Sequence, residues 1–159
     1  MAAHPLIVDQ TALDPAIDEP EKNPQLQAVH RYWLERCDGR LLPARRAIDP
    51  IDLKRHLPNM LLVDVTQDPL RFRYRLFGTG LVALYDREMT GKYVDDIKSD
   101  SLRTAVVQAY AQVIDRRAPV FSALAFVVDY YRIKYDRLLL PLADDGCTVS
   151  MVMGAILRR

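Results

Sequence analysis

Catalysis needs groups that can be paired, and this chain offers few. Asp64, Asp68, Asp95 and Asp96 are carboxylates, but none stands at a useful spacing from a histidine or a nucleophilic serine. Asp144 and Asp145 precede Gly146 and read as turn residues. Ser122 and Ser150 lie in strand-like runs without a G-x-S-x-G motif. Gly78-Thr79-Gly80 lacks the third glycine and the Lys-Ser/Thr pair of a phosphate loop. Cys37 and Cys147 make no disulfide framework, and neither has a second Cys or a His at metal-ligand spacing. His30 reads as a surface or interface histidine rather than a ligand. The expectation is therefore a non-enzyme without a metal site, whose chemistry is binding.

Composition agrees with a folded domain. The chain has 159 residues, half of them hydrophobic, which suits one domain with a real core. With 22 basic and 21 acidic side chains the net charge is +1, so neither a nucleic acid nor a membrane surface is an expected partner. The first basic residue is Lys22, which leaves no positive region for a signal peptide, and apolar runs such as 121–128 are too short to span a bilayer. A cytoplasmic protein is expected. The chain stops straight after its last strand, so any signal is expected to pass to a separate partner protein.

The elements that must position a binding site follow from periodicity. Arg71 to Phe77 alternates, with Phe72, Tyr74 and Leu76 on one side and Arg71, Arg73 and Arg75 on the other, which predicts a strand with one buried face. Gly78 and Gly80 break the pattern, and Thr79 can cap a short helix over 81–87. Before this unit, residues 1–23 read as an irregular arm. Asn23-Pro24 then starts a helix over 24–38 with Leu26, Val29, Trp33 and Cys37 on one face and Gly39 at its end. A one-turn helix is expected within 48–57, a strand over 60–65, and a turn at Asp68-Pro69. After the glycines, Ser99, Asp100 or Ser101 caps a longer helix whose stripe is Leu102, Val106, Ala109, Tyr110 and Val113. Strands follow over 120–128, 131–143 and 148–157, the last two joined by a hairpin turn at Asp144-Asp145-Gly146. Residues 24–159 read as a single domain.

The stretches Tyr74-Arg75-Leu76-Phe77-Gly78-Thr79 and Arg137-Leu138-Leu139-Leu140-Pro141-Leu142, with Met89-Thr90-Gly91 and Ile97, resemble a family of short stand-alone PAS domains. The likeness covers about residues 26–157. It implies an α+β fold: a five-stranded antiparallel sheet, strand order 2-1-5-4-3, with helices on one face, plus the N-terminal helix. It implies no reaction and no catalytic residues.

In such a fold the inner face of the sheet and the helices enclose an apolar space. Tyr74, Leu76, Tyr85, Tyr93, Tyr110, Leu139, Met151 and Met153 are the candidates to line it, the competing reading being that all eight simply fill the core. Tyrosines with few charged neighbours favour a neutral or amphipathic ligand over a highly charged one. A haem-binding version would need a histidine on the helical side, but His4, His30 and His56 all lie outside 78–119; Cys37 and Cys147 are likewise misplaced for covalent flavin or another chromophore. These cofactors are disfavoured and the ligand is unknown. Two functions remain: a sensory module that binds a small molecule, or a ligand-free interaction module. For the latter, Leu26, Val29 and Trp33 are the candidate homodimer interface, with packing onto their own sheet as the competing outcome.

Overall fold

The alternating stretch Arg71–Phe77 is a strand in the computed structural model, which describes residues 7–9 and 18–159. In chain order the elements are β1 (Ile7–Val8), α1 (Pro24–Cys37), β2 (Met60–Thr66), β3 (Arg71–Phe77), α2 (Thr79–Tyr85), α3 (Asp100–Arg116), β4 (Val120–Val128), β5 (Tyr131–Leu142) and β6 (Met151–Arg158). They form an α+β domain with one antiparallel sheet. The expected five strands keep the neighbour order β3-β2-β6-β5-β4, but the sheet has six strands among the described residues. The sixth is β1, which pairs with β4 through Ile7 opposite Val127 and Val8 opposite Phe126. Two residues are too short for period two to register, which is why the arm reads as irregular throughout. The rest of that arm, residues 1–6 and 10–17, lies outside the described residues.

Local chemistry sets the helix ends. The Asn23 side chain accepts from the backbone N–H of Gln25 and Leu26, with Pro24 following, and α1 ends on Asp38 and Gly39 in the left-handed region. The Ser99 hydroxyl caps α3 by accepting from Leu102, and the predicted stripe from Leu102 to Val113 is buried. Residues 45–47 and 57–59 are 3-10 turns flanking the segment expected to hold a one-turn helix. The second of these packs against the start of α2. A Cβ on Gly78 would stand 2.4 Å from the carbonyl oxygens of both Leu57 and Pro58, so only glycine fits there.

The register assigns side chains to two faces. Along one face run Phe72, Tyr74 and Phe77 of β3, Leu61 and Val63 of β2, Val152 and Gly154 of β6, Arg137 and Leu139 of β5, and Ser122 and Leu124 of β4. α3 covers this inner face: its Tyr110 ring meets Phe72 edge-on, with centroids 5.3 Å apart. α1 covers the other, where His30 meets Phe121 edge-on at 5.4 Å. The sheet is thus the middle layer of three.

The outer layer is closed by a specific bond. β4 pairs with β5 only as far as Leu139, so the carbonyl of Pro141 has no ladder partner on that side. The indole N–H of Trp33 donates to it at 2.9 Å. The connection from β5 to β6 is wider than the expected tight turn. The Asp145 carboxylate accepts from the backbone N–H of Cys147 and Thr148, which holds residues 143–150 as a loop and delays the last strand to Met151.

Candidate functional site: the inner face and its buried arginine

On the inner face β3 supplies Tyr74, α2 supplies Tyr85 and α3 supplies Tyr110. Tyr74 and Tyr110 are fully buried and Tyr85 is half-buried, its ring edge-on to Phe77 at 5.0 Å. The Tyr110 hydroxyl donates to that of Tyr74 at 3.4 Å, a long contact. Burial pushes the pKa of Tyr74 and Tyr110 well up and that of Tyr85 to about 12, so all three remain neutral hydroxyls at ordinary pH.

Beside them stands Arg137 of β5, only 8% exposed. Its Nε donates to Ser122 Oγ at 3.1 Å, and this is its hydrogen bond among the described residues; no carboxylate pairs with it there. Burial lowers its pKa, yet a guanidinium remains charged. The adjacent acid does not help. Asp136 points to the outer face, where it accepts from Arg159 Nε at 2.9 Å and Asn23 Nδ2 at 3.1 Å. Arg137 lines a cleft of about 910 Å³ between α3 and the β4–β5 part of the sheet. Leu124, Ala105, Ala109 and Val8 give the cleft apolar wall, and Thr104, Gln108 and Gln112 give it polar rim. β1 is tied to α3 by a bond from the Val8 backbone N–H to Ser101 Oγ at 3.2 Å.

The expected pocket residues divide. Tyr74, Tyr85, Tyr110 and Leu139 are on the inner side, but none of the eight expected residues is among those lining the cleft. Leu76 is not on the inner side, because β2 and β3 shift register: Leu62 pairs with Leu76 but Val63 pairs with Tyr74. Arg75 is the extra residue of that bulge, and Leu76 is turned to the outer face. Met151 and Met153 also face outward, since Met153 pairs with Leu62 and Val152 with the inward Val63. Tyr93 bridges to Arg73 at the sheet edge and lies under the Arg71 guanidinium, 3.7 Å from its ring centre. The expected interface residues are corrected too. Leu26, Val29 and Trp33 are buried against the chain's own sheet, which has its own apolar outer face to cover.

Sequence reading missed Arg137 and Ser122. The signal was present in β5: alternation from Tyr131 through Ile133 and Tyr135 to Leu139 puts Arg137 on the same side as those residues. Arg137 is thus one charged neighbour of the tyrosines that their apolar surroundings in the sequence did not announce. Among the described residues, no group of His, Cys, Asp and Glu could hold a metal ion, and no helix is long and apolar enough to cross a membrane.

The element order strand-strand-helices-strand-strand-strand, folded as an antiparallel sheet with helices and a cleft on its inner face, defines the class by its architecture. A family profile described as a PAS domain matches residues 21–157. The chain belongs to the PAS domain family, a family of sensory modules. No curated protein sequence matches it. Among solved structures it is similar to the PAS domain of BvgS from Bordetella pertussis, with 13% identity and a TM-score of 0.51, covering 70% of this chain and 88% of that one. It is also similar to a PAS domain of a Colwellia psychrerythraea protein, with 8% identity, TM-score 0.45 and coverage of 70% and 98%. A variant of the fungal photoreceptor Vivid gives 16% identity, TM-score 0.46 and coverage of 80% and 91%. At 13% identity the likeness to the BvgS domain is one of fold.

Proposed function

We propose that this chain is a sensory binding module that holds a small organic molecule in the cleft beside α3 and reports its occupancy to a separate protein. The observation that carries this reading is a cleft of about 910 Å³ lined on the inner face by the buried Arg137, whose Nε is held by the half-buried Ser122. A ligand there touches α3 on one side and the sheet on the other. Its differential contacts would bias how α3 sits, which is the physical requirement for a signal. The test is direct: denature the purified protein and look for a released small molecule by mass spectrometry, then screen small organic acids, amides and alcohols by thermal shift. A protein that releases nothing and responds to nothing is not such a module.

Pairing of two copies is the second reading. With Leu26, Val29 and Trp33 turned inward, it rests on the far side of α1, where Leu34 is 52% exposed and Leu41, just beyond the helix, is 59% exposed. Sedimentation at micromolar concentration separates the readings, since a monomeric wild type removes this one.

A further inference from the structure

We infer that the ligand of this cleft carries one carboxylate, seated on the Nη edge of Arg137, with an apolar body along α3. The inference rests on the reading of the cleft as a binding site and names the chemistry it selects.

A buried guanidinium without a carboxylate partner is unusual, because moving a charge out of water is costly unless something pairs with it. Arg137 is more than nine-tenths buried and has that deficit. Its single bond is informative in direction. Ser122 Oγ holds Nε, which fixes the plane of the guanidinium and leaves the N–H groups of both Nη atoms uncommitted among the described residues. The residue lines the cleft, so those donors are reached from it. Two parallel N–H donors on one edge match the two oxygens of a carboxylate.

Among the described residues, the acid next to it in sequence and the acid in the cleft lining are both engaged elsewhere. Asp136 is on the opposite face with Arg159 and Asn23. Asp100, the one acid among the residues lining the cleft, sits at its exposed rim and is bound by Arg103. Arg137 is also the one cation of that lining. One fixed positive charge balances a monoanion; a phosphate dianion would leave one negative charge buried without a counter-ion. The remaining surfaces set the body of the ligand. Leu124, Ala105, Ala109 and Val8 accept an apolar chain or ring, while Gln108 and Gln112 accept a polar tail near the mouth.

The experiment uses the whole chain with phenylacetate and hexanoate, each beside its primary amide, and inorganic phosphate as a further probe. Thermal shift and calorimetry read binding. We expect the two carboxylates to stabilise the wild type and the amides to bind about tenfold or more weakly, as loss of a charged hydrogen-bonded pair predicts. Arg137→Met should lose that preference, Arg137→Lys should keep part of it, and Ser122→Ala should weaken carboxylate binding severalfold with no change of charge. Circular dichroism establishes that each variant folds; should Arg137→Met not fold, the acid-against-amide comparison on wild type still decides. Amides that bind as tightly as the acids, or a folded Arg137→Met that keeps the preference, overturn the inference. Phosphate that matches the carboxylates overturns the choice of carboxylate. If neutral Nile red binds in the cleft and no acid does, the module reading stands and this inference falls; if no probe binds, both fall.

Discussion

The two faces of the sheet bury charge in opposite ways. Asp136 and Arg137 are neighbours on β5, and both are buried, at 4% and 8% exposure. Strand alternation sends them to opposite sides. On the outer face Asp136 is matched by Arg159 and Asn23 under a helix whose indole N–H donates to the Pro141 carbonyl. On the inner face Arg137 meets one hydroxyl at the floor of a cleft. A layer with its buried polar groups matched serves stability. A layer with a cleft beside a charge that no carboxylate among the described residues matches leaves room for a group from outside the chain, which is the reading proposed above.

The largest effect that would break this contrast belongs to the outer layer. Trp33 is 4% exposed and both fills space and satisfies Pro141. Trp33→Ala should cost about 3–5 kcal/mol, the range for deleting a buried aromatic. Urea unfolding measures it. A loss under about 1 kcal/mol would mean that α1 is not part of the stable domain.

On the inner face, alkaline pH provides the counterpart. The folded pKa of Tyr74, Tyr85 and Tyr110 is raised by burial. The stability held in these neutral hydroxyls is complete below the unfolded tyrosine value of about 10 and is lost as pH rises through the folded values. In that window the unfolded chain has already released protons that the folded chain retains, so unfolding gains. The urea midpoint should fall steeply from about pH 10 upward. A Tyr74→Phe, Tyr110→Phe double variant should lose much of that slope; an unchanged slope would assign the alkaline transition to other groups.

Neutralising the two adjacent charges sharpens the comparison further. Asp136→Asn keeps shape but breaks charge-assisted bonds, and should destabilise by about 2 kcal/mol. Arg137→Met in the absence of ligand should be near neutral or stabilising, since it removes a buried charge that has no counter-charge among the described residues. Equal losses from both would show that Arg137 is as structurally matched as Asp136, and the asymmetry between the faces would disappear.

Much of this fold was legible because the signals were long. The stripe of α3, the Asn-Pro start of α1 and the alternating strands each run over many residues, and the five expected strands keep their order. What failed was local and non-periodic. One extra residue at Arg75 reverses the facing of Leu76, and no composition signal marks a bulge. Met151 and Met153 share a face as expected, but which face depends on pairing with β2, a long-range fact. Trp33 and its stripe were visible as apolar; that their partner is the chain's own sheet depends on that sheet having an uncovered side. Arg137 was hidden by its company: in Arg-Leu-Leu-Leu-Pro-Leu it reads as the polar end of an apolar run, and only the alternation of the preceding residues places it inward.

The smallest effect tests what the tyrosine hydroxyls are for. Tyr110 donates to Tyr74 at 3.4 Å, longer than the usual span of an O–H···O bond. A bond that long contributes little to stability, so Tyr110→Phe should change the unfolding free energy by about 0.5 kcal/mol, at the low end for a net hydrogen bond. Its ring contact with Phe72 is untouched by the change, so packing should hold. Tyr110 is not a lining residue of the cleft, so the same substitution should show more strongly in binding of a carboxylate probe than in stability only if the ligand reaches past Arg137 to the tyrosine pair. Unfolding and calorimetry on one preparation give both numbers. A Tyr110→Phe variant that loses well over 1 kcal/mol of stability and nothing in binding would make the tyrosine pair part of the scaffold, and the inner face would resemble the outer one more than its unmatched arginine implies.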